Sequence, residues 1–392
     1  MNPNLFLLAL CQGLFLTNNV TFIAINGLVG LALAPSAWMA TIPVTGYVVG
    51  GALSTPLVAR SQRLLGRKRS FQIGLLVAAL SAGLCAYAAA SQNFWLLVLA
   101  TVVAGYYSAN GSLYRFAAPE LAAPSLKEKA ISLVLAGGII GAVVGPNLAN
   151  MTRGLLPVPY VGAYLALIAV ALLSLLIMTS ITFPAHMPVV PGAASGRPLR
   201  EIMRQPVFMV AVAAAALGYA VMNLLMAATP IAMQMCGHSF GSTALVLEWH
   251  VLGMFLPGFF TGHLIRKFGV LTVMGVGVIL IVACVFVAIS GEAVSQFVIA
   301  LALLGVGWNF LYVGGTTLCT DSYRPEEKNK AQAAMDFWVF SSMAVSSFAS
   351  GALITTKGWY WLNLGSLAPL ALVAMALLAL AAQRRSVVAR AR

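Results

Sequence analysis

"RLLGRKRSFQIG" (residues 63–74) and "RKFGVLTVMG" (266–275) decide the fold. Each couples arginines and a glycine to the start of a long apolar run. Aligning Gly66 on Gly269 gives an offset of 203. A second matched pair, "KEKAISL" (127–133) and "KNKAQAA" (328–334), aligns Lys129 on Lys330 with an offset of 201. Two nearly equal offsets mean that the chain is doubled, a pattern found in transporters built from internal repeats.

The apolar runs around these connections set the class. Of 392 residues, 61% are hydrophobic and 8% charged, against about a quarter charged in a soluble domain. A run of about 20 apolar residues crosses a hydrocarbon core of about 30 Å. Twelve such runs occur, near 4–33, 36–58, 70–91, 94–118, 129–150, 158–183, 207–234, 241–264, 270–290, 294–319, 331–355 and 359–383. The sequence therefore predicts an all-α membrane protein with twelve transmembrane helices in two six-helix pseudo-repeats. The first half covers 1–183 and the second 207–392. The Pro-, Gly- and Arg-containing stretch 184–206 reads as the linker between them.

Charge placement orients the chain. The net charge is +13, and 20 of the 22 Lys and Arg fall on connections that share one side with the termini, leaving Arg153 and Lys357 for the other. This asymmetry predicts a multi-pass protein with both termini in the cytoplasm. Basic surface so placed meets anionic lipid head groups rather than nucleic acid. The first run begins after "MNPN" without a basic leader and reads as a retained span. The five cysteines are scattered and form no C-x-x-C, which predicts free thiols. No nucleophile triad, phosphate loop or dinucleotide fingerprint occurs, so an enzyme is not expected.

Doubled six-helix halves with basic turns after the second and eighth spans resemble the major facilitator superfamily over the whole chain. "GHLIRKFG" (262–269) fits that family's G-x-L-x-D-R-x-G-R-R loop, and "ARSQRLLGRK" (59–68) fits it loosely. The family's acidic position carries Arg266 in one half and Arg63 in the other. An aspartate latch is thereby lost, and a gate would need Glu128, Glu326 or Glu327. The two arginines otherwise serve topology alone. "GGIIGAVVGPNLA" (137–149) resembles the family's antiporter signature, with Asn150 where a glycine belongs. It would point to export, but close helix packing through Gly141 and Gly145 alone explains it.

"VMNLLMAATP" (221–230) places Met222 and Met226 one helical turn apart, and "LEWHVLGMF" (247–255) does the same with His250 and Met254. Thioether and imidazole together suit copper. A methionine pair at this spacing arises readily by chance in a chain with 16 methionines, and methionine fills apolar cores. An intramembrane histidine usually faces a cavity or a partner, and Glu248 or a neighbouring helix would satisfy it.

These two pairs resemble the M-x-x-x-M and H-x-x-x-M motifs in the seventh and eighth helices of CcoA-type copper importers. The resemblance implies copper import across the bacterial inner membrane toward haem-copper oxidase assembly of the cbb3 type. It makes copper the transported substrate of a monomeric carrier with no resident cofactor, and it implies a periplasmic donor and a cytoplasmic copper chaperone. Some similar proteins carry riboflavin, so a flavin or related organic solute is the alternative. Met233, Met235, Cys236 and His238 in "PIAMQMCGHSF" (230–240) would receive copper from the donor, or are ordinary loop residues. Asn18, Asn19, Asn26, Tyr106, Tyr107, Asn110, Trp308, Asn309 and Tyr312 supply the rings and amides that an organic solute needs. Arg115, Glu120, Asp321 and Asp336 fall near cytoplasmic helix ends, where ion pairs across a gate are expected. Asp336 is also the candidate coupling carboxylate.

Overall fold

The computed structural model describes residues 2–122, 127–184, 196–324 and 327–390. They form α1 (Pro3–Leu33), α2 (Ile42–Ala90), α3 (Phe94–Gly111), α4 (Tyr114–Ala117), α5 (Lys127–Thr152), α6 (Val161–Ser180), α7 (Leu199–Met203), α8 (Pro206–Met235), α9 (Phe240–Phe255), α10 (Gly258–Phe268), α11 (Val270–Ile289), α12 (Val294–Thr320), α13 (Lys328–Gly365) and α14 (Leu367–Arg390). Local chemistry sets several starts. The Asn2 side chain accepts from the Asn4 N–H at 3.0 Å, and Asn93 accepts from Leu96 N–H at 3.0 Å; both satisfy N–H groups that a helix start leaves free.

Among the described residues nine helical stretches are long and apolar enough to cross a membrane, and the α9–α10 pair, bent by 44°, makes a tenth. Two of the nine, Ala37–Ala90 and Lys330–Ser386, run 54 and 57 residues. At about 1.5 Å per residue each is more than twice the hydrocarbon thickness. Each breaks at a glycine in left-handed backbone, Gly66 (φ 78°, ψ 171°) and Gly358 (φ 78°, ψ 177°). Counting both arms of each gives the twelve crossings that the sequence predicts.

The pseudo-repeat is visible in the backbone itself. Gly269, which aligns with Gly66, has φ 86° and ψ 149°, the same region that side-chain-bearing residues avoid. The sequence reads 60–69 as a connection; in the structure helix continues through it, and the break is confined to Gly66. The eighth span, read as continuous, is instead interrupted at Leu256 and Pro257 between α9 and α10. The linker residues 185–195 lie outside the described residues.

Small residues let the helices meet. A Cβ at Gly50 would run into the Val102 carbonyl, and one at Gly105 into the Gly51 amide, so α2 and α3 cross backbone to backbone. A Cβ at Gly141 would stand 2.6 Å from Thr17 N, and the Thr21 hydroxyl donates to the Gly145 carbonyl at 2.8 Å. The glycine spacing of the fifth span thus docks α5 on α1.

The two halves are joined by side chains at the end away from the basic connections. Thr41 donates to the Ser347 carbonyl at 2.6 Å and accepts from Gly351 N–H at 2.9 Å. Asn147 donates to Glu248 at 3.0 Å. Trp38 meets Phe348 edge to face at 5.9 Å, and Phe240 meets both Tyr160, at 6.0 Å, and the Arg153 guanidinium, at 4.9 Å from the ring centroid. At the basic end, by contrast, Arg67 pairs with Glu120 at 2.8 Å within the first half, and Arg384 with Asp321 at 3.2 Å within the second. Glu120 and Asp321, expected to bridge a gate, stay within their own halves because a cation of the same half is already in reach. Arg63 and Arg266 are exposed. The Glu128 side chain and Glu326 lie outside the described residues.

Glu327 is not a gate partner either. It is buried and accepts from Arg197 Nη2 at 2.7 Å, Arg197 Nε at 2.9 Å, and the backbone N–H groups of Arg197 at 2.7 Å and Arg324 at 3.0 Å. These bonds fasten the segment that leads into α7 onto the start of α13. The Arg197 guanidinium, opposed by burial, holds the carboxyl well below the usual carboxylate range.

Two predictions come from these contacts. Gly269→Ala should cost about 1–3 kcal/mol through backbone strain alone, since nothing lies within 4 Å of its Cβ. Gly262→Ala, equally open but helical, should not lower stability, and melting temperatures in detergent compare them. For Glu327, a depressed carboxyl stabilises the fold above its unfolded value of about 4.3 and loses that contribution as pH falls toward the folded value. The melting temperature of the wild type should therefore exceed that of Glu327→Gln at neutral pH, and the gap should narrow below about pH 4.

Candidate functional site

Buried polar atoms need partners, so those left without one mark where water or cargo belongs. Among the described residues they include Gln12 Oε1, Tyr107 Oη, Arg115 Nε, His250 Nε2 and Trp308 Nε1. Two groups emerge around α12.

The first is a ring cluster. Trp308 and Tyr312, one turn apart on α12, stack with centroids 5.1 Å apart and planes 9° apart. Tyr219 of α8 meets both edge to face, at 5.2 Å and 5.5 Å. Trp308 is buried, whereas Tyr219 and Tyr312 keep part of their surface open. Arg115, carried by α4 of the first half, is within electrostatic reach of the Tyr312 hydroxyl and of Asp336 on α13. Asp336 is exposed. Two of the expected charged residues are therefore near each other across the halves, beside aromatic rings. The sequence singled out Trp308 and Tyr312 but missed Tyr219; its only local signal is a tyrosine next to Gly218 in an apolar run. Gly218 matters because a Cβ there would stand 2.9 Å from Leu311 of α12, so its absence brings Tyr219 up to the stack.

The second group holds the soft donors. Met222, Met226, His250 and Met254 are all buried, with relative exposures of 2, 6, 0 and 7%, so none faces lipid. His250 Nδ1 lies 2.8 Å from the Leu301 carbonyl of α12. A carbonyl only accepts, so Nδ1 carries the proton and the neutral ring presents its Nε2 lone pair. Glu248 is not the partner; it is held by Asn147. Glycine allows this approach, because a Cβ at Gly305 would stand 2.9 Å from Met254 N. On α8, Ala211, Ala215 and Gly218 pack on α12 through Gly315 and Leu311. Met222 continues that face by helical periodicity. α8 and α9, the helices that carry the two donor pairs, both pack on α12. Among the described residues no group of three or more His, Cys, Asp or Glu could hold a metal ion.

Four of the amides singled out from the sequence, Asn19, Asn26, Asn110 and Asn309, have structural partners. Asn26 donates to the Phe22 carbonyl at 2.7 Å and accepts from Tyr164 Oη at 2.9 Å. Asn19 donates to Tyr47 Oη at 3.1 Å, and Asn110 to the Ser70 carbonyl at 2.9 Å. Asn309 clamps the broken eighth span: its Nδ2 donates to the Met254 carbonyl at 2.8 Å, and its Oδ1 accepts from Thr261 of α10 at 2.7 Å.

At the far end of α8, Met235 is exposed and Met233 fully buried. His238 Nε2 donates to the Glu292 carbonyl at 2.6 Å. Burial, then the neighbouring Glu292 carboxylate, pushes the Cys236 thiol up, which disfavours the thiolate that binds metal. All five cysteines are free.

The chain matches the family model described as Major Facilitator Superfamily over residues 5–269 and 215–391. It belongs to that superfamily. It is 38% identical over 363 residues to the riboflavin transporter RfnT of Brucella anthropi, covering 92% of this chain and 91% of the relative. It is 28% identical to the uncharacterized MFS-type transporter YddS of Bacillus subtilis, over 87% of this chain and 82% of that one. Among solved structures, a bacterial homologue of the lysosomal transporter Spinster, inward-facing and occupied, superposes with a TM-score of 0.72 at 14% identity over 95% of both chains. A bacterial homologue of the iron transporter ferroportin, inward-facing, gives 0.70 at 15% identity, covering 96% of this chain and 98% of that one. These superpositions establish the major facilitator fold. The expected likeness to copper importers gains nothing from RfnT, whose name gives riboflavin.

Asn309→Ala should leave the Met254 carbonyl unmet and the α9–α10 break unfastened, at about 1–3 kcal/mol. A lowered melting temperature with an unchanged KM for cargo is the expected result, since both ends of the amide are already bonded within the protein.

Proposed function

We propose that this superfamily member is a secondary transporter of riboflavin or a related flat, polar heterocycle. The carrying observation is the Tyr219–Trp308–Tyr312 cluster with its unpartnered indole N–H, in a chain 38% identical to a riboflavin transporter. A fused ring system offers an apolar face for stacking, and its carbonyl and imide groups would meet Trp308 Nε1 and Arg115. Offset or edge contacts are worth about 0.5–1.5 kcal/mol each beyond area burial. A few of them bind cargo without trapping it. With the basic end in the cytoplasm, as the charge asymmetry implies, the contacts of Thr41 with Ser347 and Asn147 with Glu248 close the periplasmic side. They must part for cargo to enter. Arg115 and Asp336, of opposite charge, in opposite halves and within electrostatic reach of each other, are suited to sense the closing of the cytoplasmic side.

Copper import remains the second reading, on the strength of the His250 Nε2 lone pair with Met254 one turn along the same helix. One experiment separates them. Radiolabelled riboflavin and copper uptake are measured in cells lacking their own importers. Riboflavin accumulation should fall at least about tenfold, or ~1.4 kcal/mol, with Trp308→Ala or Arg115→Ala, and persist with His250→Ala or Met226→Ala. Copper uptake abolished by the last two variants would favour the second reading, and no dependence of riboflavin uptake on the wild-type chain would overturn the first.

A further inference from the structure

At the basic end of the first half, a hollow of about 930 Å³ opens where α2 breaks at Gly66. Arg63 reaches it from one arm of α2, and Arg67, Lys68 and Arg69 from the other, with Phe116 and Phe183 adding apolar wall. Four cations thus face one carboxylate, Glu120. Arg67 is committed to Glu120 at 2.8 Å, and Lys68 to the Thr179 carbonyl at 2.7 Å. Arg63 and Arg69 are exposed and have no partner among the described residues.

The surroundings are those of a lipid boundary. Leu53, Leu57 and Leu64, spaced so as to share one face of the first arm, are 66, 59 and 69% exposed. That stripe leads from the hydrocarbon to the hollow. A guanidinium matches phosphate in shape as well as charge, and two unpartnered ones leave the site short of an anion.

We propose that this hollow binds a phosphate group, of the kind that an anionic phospholipid head group or a free phosphate presents. Such a group, held by Arg63 on one side of Gly66 and Arg69 on the other, fixes the angle between the two arms of α2. With lipid as the source, the acyl chains follow the Leu53–Leu57–Leu64 stripe.

The test uses the full chain purified in detergent and in nanodiscs of phosphatidylcholine with or without phosphatidylglycerol. Retained phosphatidylglycerol is counted by native mass spectrometry and stabilisation by melting temperature. The double variant Arg63→Ala/Arg69→Ala should lose retention by roughly tenfold, about 1.4 kcal/mol, while melting as the wild type does in phosphatidylcholine alone. Arg200→Ala/Arg204→Ala removes the same charge elsewhere on the basic end and should retain the lipid. Inorganic phosphate added without lipid distinguishes the sources. A thermal shift seen in the wild type and absent from the double variant assigns the site to the free anion. Retention of phosphatidylglycerol that phosphate does not displace assigns it to lipid. Retention by the double variant equal to that of the wild type, or equal loss in the Arg200/Arg204 control, overturns the proposal.

Discussion

Hydrocarbon supplies no hydrogen-bond partner, so each polar group that this chain carries into the membrane must be met by another part of the chain. Most are. Asn26 is shared between its own helix and Tyr164, Asn223 bonds Ser346 and Ser347 of α13, and Asn309 holds the two pieces of the eighth span together. The few unmet atoms are therefore informative. Among the described residues these include Gln12 Oε1 and Tyr107 Oη in the first half, and Trp308 Nε1 and His250 Nε2 on or beside α12.

The same constraint explains where the helices break. A helix interruption exposes backbone groups and is tolerated where something compensates. At the eighth span the compensation is Asn309 and Thr261. At Gly66, Gly269 and Gly358 the break falls between two successive crossings, where water or head groups can serve. The break recurs at equivalent points of both halves, Gly66 and Gly269, and gives each a similar outline.

Electrostatics divides the two ends. Hydroxyl, amide and aromatic contacts join the halves away from the basic connections, and these can be exchanged at small cost. The ion pairs of the basic end stay inside each half, so they brace that half rather than latch it to the other. Arg63 and Arg266 are both exposed and leave cationic surface at that end.

Composition and hydropathy by themselves determined a polytopic helical protein, because a chain so poor in charge has no other way to shelter its apolar surface. Repeated basic turns likewise disclosed the doubled architecture, since local sequence places charge and glycine wherever the chain must turn at a membrane face. The candidate site was only partly legible. Trp308, Tyr312, Arg115 and Asp336 could be named from residue type and position. That Tyr219 joins them, that Asn309 is a clamp, and that His250 bonds Leu301 instead of Glu248 depended on which helix packs beside which. Those neighbours are set by glycine crossings between segments 50 to 100 residues apart, and helical periodicity within one span carries no information about the span that will lie against it.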